Sequence, residues 1–162
     1  METLELLAEL SVGLLGFSGV VSALGRSKLD VKIREFRVMA LLGYSSTALI
    51  AALVPLLIAN YNVATNVLWM VSGLFLFVLM PVFPVVTVAK YSSTLNSDPF
   101  LRRVGPPIVI VLFLVWLYLG YGILVGHEML GAIYTLGVTY LLVMAVFHFC
   151  MLVSSVRFEG DT

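Results

Sequence analysis

Five apolar segments, residues 6–25, 38–59, 67–89, 106–126 and 130–154, are each long enough to cross about 30 Å of hydrocarbon as an α-helix. Together they hold one charged residue, Glu9. A helix that is apolar on every side needs apolar surroundings on every side, which five such runs in a short chain find only in a bilayer. A transmembrane β-barrel would instead alternate lipid-facing and lumen-facing residues over ~10-residue strands. The stretch LLIANYNVATNVLWMVSGLFLFVLM is continuously apolar apart from one polar turn. Composition agrees: 61% of the 162 residues are hydrophobic and 11% charged, against about 25% charged in soluble domains. The expectation is an all-α integral membrane protein with five transmembrane helices, residues 1–162 forming a single transmembrane domain. The first segment is preceded by Glu2 and Glu5 and lacks the positive n-region of a secretory signal, so it reads as a span of the mature protein.

The cations set the expected orientation. All nine Lys and Arg residues lie in three regions: Arg26, Lys28, Lys32, Arg34 and Arg37 between the first two spans, Lys90, Arg102 and Arg103 between the third and fourth, and Arg157 after the fifth. Those regions share one side of the membrane. The other side holds the N-terminus and the turns NYNVATN and HEML, which carry no Lys or Arg. The positive-inside rule then puts the N-terminus outside and the C-terminus in the cytoplasm, and the compact size suits a bacterial inner (plasma) membrane. Lys28, Lys32, Arg34, Arg37, Arg102 and Arg103 are candidates for contact with lipid headgroups or a partner.

The first span is the most informative. Steps of three and four residues along it give Glu2, Glu5, Glu9, Val12, Gly16, Gly19, Ala23 and Arg26, a seam with acids at one end, very small residues in the middle and a cation at the other. Ser11, Ser18 and Ser22 mark a second small, polar face. Lipid-facing surfaces have no reason to avoid Leu and Val, so small residues on two faces predict a helix at the centre of a bundle or an oligomer. An unpartnered carboxylate within a span costs at least about 2.5 kcal/mol, which points Glu9 toward a cavity, a pathway or a neighbouring helix. In span two, Ser45, Ala48 and Ala52 form another helix-packing stripe.

Pro55, Pro81 and Pro84 lie inside spans and should bend their helices and free backbone carbonyls. Met144, His148 and Met151 recur at i, i+4 and i+7, a spacing that reads first as a histidine packed among methionines in the core and only weakly as a soft-ligand copper site. No metal or cofactor is expected from the rest of the chain. It has one cysteine and no zinc, phosphate-loop or serine-hydrolase motif, so it does not read as an enzyme. Zero net charge gives no basic face for nucleic acid.

The expected partners are the lipid bilayer and either further copies of the chain or another membrane protein. Three functions are consistent with these features, the first of them favoured and the other two its alternatives. The first is a homo-oligomeric cation channel or small permease, with a first-helix pathway of Glu2, Glu5, Glu9, Val12, Gly16, Gly19, Ala23 and Arg26 guarded by Glu9. The second is a non-catalytic accessory or scaffold subunit of a larger membrane complex. The third is a binder of a hydrophobic ligand or lipid between the proline-bent helices.

Overall fold

The computed structural model describes residues 2–24, 31–97, 99–126 and 129–154. Five helices follow in order: α1 (Glu2–Leu24), α2 (Val31–Ala59), α3 (Thr65–Ser97), α4 (Pro99–Val125) and α5 (Leu130–Val153). Each contains a stretch long and apolar enough to cross a membrane, and no strand occurs among the described residues. α2 and α3 outrun the apolar segments that define their spans. The 29 residues of α2 extend about 43 Å, well beyond the ~30 Å hydrocarbon layer, because a helix keeps its backbone hydrogen bonds on leaving the membrane.

The turns are where the residue types allow them. α2 ends in a tight turn in which Asn60, Tyr61 and Asn62 donate N–H groups to Leu57, Ile58 and Ala59. Asn62 adopts a positive φ of 52°, a conformation that asparagine tolerates better than most residues. Gly126, with φ 62°, lies just beyond the last residue of α4.

α2 and α5 form the central pair. α1 lies against α2 and α5, and α3 against α2, α4 and α5. α4 reaches only α3 and α5, and α1 touches neither α3 nor α4 among the described residues. The expectation of a central first span therefore does not hold within one chain. α1 buries a single side, made of Leu4, Leu7, Ala8, Ser11 and Ser18, whereas α2 and α5 are apolar around most of their circumference and bury residues in several directions.

Close approach of the helices depends on small residues facing rings. A Cβ at Gly43 would overlap the Phe83 ring, one at Gly120 would come within 2.8 Å of Phe77, and one at Gly131 within 2.7 Å of Trp69. Ser45, Ala48 and Ala52 are fully buried, so α2 packs its small-residue stripe inward.

Two prolines create the most consequential contacts. Proline has no N–H, so Pro55 leaves the Ala51 carbonyl without its helical donor, and Pro81 does the same to Phe77. Each carbonyl is met by an aromatic side chain from another helix. Tyr134 of α5 donates its hydroxyl to Ala51 O. Trp116 of α4 donates Nε1–H to Phe77 O at 2.9 Å while its ring stacks on the Phe77 ring at 4.5 Å. In hydrocarbon, where water cannot stand in, these bonds connect the proline bends to the packing of the bundle.

Trp116→Phe keeps the stack and removes the donor, and is expected to lower stability in detergent by about 1 kcal/mol. In a Pro81→Ala background the backbone N–H returns and the same change should cost much less. Thermal unfolding of the four proteins of this cycle measures the coupling; strictly additive effects would show that Trp116 does not serve the freed carbonyl.

Candidate functional site

The end of the bundle where α2 and α4 begin and α3 and α5 finish carries the described Lys and Arg residues. Here α3 loses helical geometry at Tyr91 (φ −114°, ψ 19°). The Tyr91 hydroxyl donates to Glu35 Oε1 at 2.8 Å, and Lys90 Nζ lies 3.4 Å from the same oxygen. Lys90 and Glu35 are both about half exposed, so their ion pair contributes little by itself. The Tyr91 ring adds packing, meeting Phe36 edge-on at 5.6 Å.

Beside this junction lies a cavity of about 500 Å³ bounded by four helices. Phe36 and Tyr44 come from α2, Pro84, Thr87 and Val88 from α3, and Met144, Phe147 and His148 from α5. The first half of α4 closes the remaining side, from Arg102 to Leu112. Its volume falls within the ~300–1,000 Å³ typical of small-molecule sites. A second groove of about 550 Å³ opens between α3 and α4, lined by residues such as Pro81, Val85, Phe113 and Trp116. Pro84, Val88, Val109 and Leu112 line both. The inner cavity and the groove therefore adjoin at a slot between α3 and α4, where these four side chains form their common border.

The sequence explains the slot. On one side of it α3 and α4 are clasped by Trp116 on Phe77 and by the close fit of Phe77 at Gly120. Toward the basic end each helix carries prolines, Pro81 and Pro84 in α3 and Pro106 and Pro107 in α4, which favour departures from straight parallel packing. Tyr140 of α5 donates its hydroxyl to Ile108 O at 2.9 Å and ties α4 to the central pair beside the cavity.

His148 is buried in the cavity wall. Its ring stacks on Tyr44 at 5.8 Å and meets Phe147 and Phe36 edge-on at 5.5 and 5.7 Å. Met144 is buried and Met151 half-buried on the same helix. The immediate neighbours of the imidazole are thus aromatic rings, and no group of three or more His, Cys, Asp or Glu side chains is placed to hold a metal ion among the described residues.

Arg37 departs from its expected role at the headgroups. It is 5% exposed, and Nη1 donates to Met151 O at 3.0 Å. The last carbonyls of a helix lack helical donors and carry partial negative charge, so a buried guanidinium there caps α5. Lys32, Arg102 and Arg103 are exposed and Arg34 is half-buried; Lys28 lies outside the described residues.

The first-span seam is on the surface of the chain. Glu2, Glu5, Glu9, Val12, Gly16 and Gly19 are all exposed, and a Cβ built at Gly16 or Gly19 would meet nothing within 4 Å. Ser11 and Ser18 face inward and are buried. The side chains of Ser22 and Ala23 and the whole of Arg26 lie outside the described residues.

Sequence reasoning missed Phe36, Tyr44, Phe147 and Trp116 as site residues. Counting back four residues from each proline locates the freed acceptors, but the donors lie 39 and 83 residues away and have no local signature. Comparison with protein-family models, curated proteins and solved structures finds no match.

Proposed function

We propose that this is a non-catalytic integral membrane protein that holds a hydrophobic ligand or lipid between its proline-bent helices. The observation that carries this reading is a four-helix cavity beside an α3–α4 groove, the two sharing Pro84, Val88, Val109 and Leu112 as their border. A ligand dissolved in the bilayer would enter sideways without crossing water. Wild-type protein exchanged into fresh detergent should retain lipid by native mass spectrometry, and Val109→Trp, which fills the slot, should lose it. Added lipid at about 100 times its dissociation constant should stabilise the wild type by about 2.7 kcal/mol. Absence of both retained lipid and thermal stabilisation would end this reading.

A second reading, the homo-oligomeric cation channel or permease, is favoured by the exposed α1 seam. If several chains gather with α1 at the axis, Glu9 of each would ring a narrow path with Glu5 and Glu2 toward its mouth, a field that attracts cations. Gly16→Leu would then break the assembly, and Glu9→Gln would reduce cation flux into liposomes while leaving assembly intact. A monomeric particle with no flux above empty liposomes would assign the seam to a different membrane protein, and the chain to an accessory or scaffold role.

We also propose a bacterial inner membrane location and, on the distribution of Lys and Arg, an N-terminus outside and a C-terminus in the cytoplasm. Cysteines introduced at Asn62 and Glu128 should react with an impermeant reagent applied from outside, and those at Ser27 and Ser93 should not. The reverse labelling would invert the orientation.

A further inference from the structure

We propose that the ligand is an anionic amphiphile, with its carboxylate or phosphate head on Arg102 and its apolar chain passing through the slot between α3 and α4. This rests on the reading of the cavity as a ligand site and adds the chemistry and the direction of the bound molecule.

The polarity of the wall supports it. Arg102 is the one charged residue lining the inner cavity among the described residues, and no Asp or Glu lines it. The hydroxyl of Thr87, another polar group in the wall, donates to Phe83 O at 2.7 Å and is occupied within its own helix. Arg102 stands in the first turn of α4, a helix that begins at Pro99, and partial positive charge of the helix terminus adds to that of the guanidinium. Arg37, buried and held on the Met151 carbonyl next to Phe36 and one helical turn beyond His148, adds positive charge at this end, whereas Arg102 is exposed at the mouth of the cavity. An anion is the complement of such a site, and guanidinium matches the geometry of carboxylate and phosphate oxygens.

The rest of the space is apolar. From Arg102 the wall continues through Val104, Pro106 and Ile108 to the slot, and beyond it the groove is lined by side chains such as Val85, Phe113 and Trp116. A compact anion would leave that surface uncovered, and a wholly apolar molecule would make no use of the guanidinium at the cavity mouth. A headgroup at the basic end with a chain extending sideways between α3 and α4 satisfies both.

Trp116 lines the groove and reports on it, whereas Trp69 packs on Gly131 and Tyr134 and lines neither cavity. In a Trp69→Phe background, reconstituted in phosphatidylcholine nanodiscs at alkaline pH, Trp116 fluorescence is titrated with dibrominated stearic acid. Parallel titrations use brominated lysophosphatidic acid and the methyl ester of the dibrominated acid. The expected result is saturable quenching by one or both anions, the tighter one identifying the carboxylate or the phosphate, with weaker quenching by the ester. Arg102→Gln should weaken the anions about tenfold and leave the ester unchanged, and Arg102→Lys should restore much of the difference. Saturable quenching equally strong for acid and ester, or untouched by Arg102→Gln, would overturn the headgroup assignment and leave the cavity as a ligand site. Quenching that rises linearly with every probe is annular lipid only and would overturn the cavity reading as well.

Discussion

A backbone carbonyl inside hydrocarbon needs a donor, and proline removes the one the helix would supply. The described structure meets this constraint twice with the same device, an aromatic side chain on one helix donating to the carbonyl freed by a proline on another: Tyr134 to Ala51, opposite Pro55, and Trp116 to Phe77, opposite Pro81. An orphaned carbonyl would cost several kcal/mol there, so the bonds fix rotation and depth of the helices that make them. The first joins the central pair α2 and α5. The second clasps α3 to α4, and the border between cavity and groove lies beyond that clasp, toward the basic end.

The cavity follows from this arrangement. Prolines at 81 and 84 and at 106 and 107 lie along the two helices that line the groove, while small residues draw other interfaces tightly together, as at Gly43 against Phe83 and Gly131 against Trp69. Those tight interfaces contrast with the cavity, whose walls are mostly rings and aliphatic side chains. At the basic end the Glu35, Lys90 and Tyr91 cluster and the cap of Arg37 on Met151 connect α2 to α3 and α5. The charged groups there hold the ends of helices whose middles are held by rings.

α1 shows how one helix serves two environments. Leu4, Leu7, Ser11 and Ser18 fit against α2 and α5, and the serine hydroxyls donate to carbonyls of their own helix, Ser11 to Leu7 and Ser18 to Leu15. The other face offers Glu9, Gly16 and Gly19 to the surroundings. Leucine or valine would serve there if lipid were all that covered it, which is the physical basis for reading that face as an assembly surface.

The amino-acid order by itself determined the number of helices, the order in which they cross and the collection of cations at one end, because spanning hydrocarbon is a local requirement: a run of about 20 apolar residues satisfies its own backbone as a helix. It also located the freed carbonyls, since a proline acts on the residue four positions before it. Tertiary structure alone decided that α2 and α5, not α1, form the centre of the chain, that Arg37 turns inward to cap α5, and that Trp116, rather than any other donor, reaches Phe77. It also brought Phe36, Tyr44, Phe147 and His148 around one cavity. Each of these depends on which faces of distant segments meet, and in a chain whose helices are apolar on nearly every side, hydropathy does not distinguish a face that meets protein from one that meets lipid.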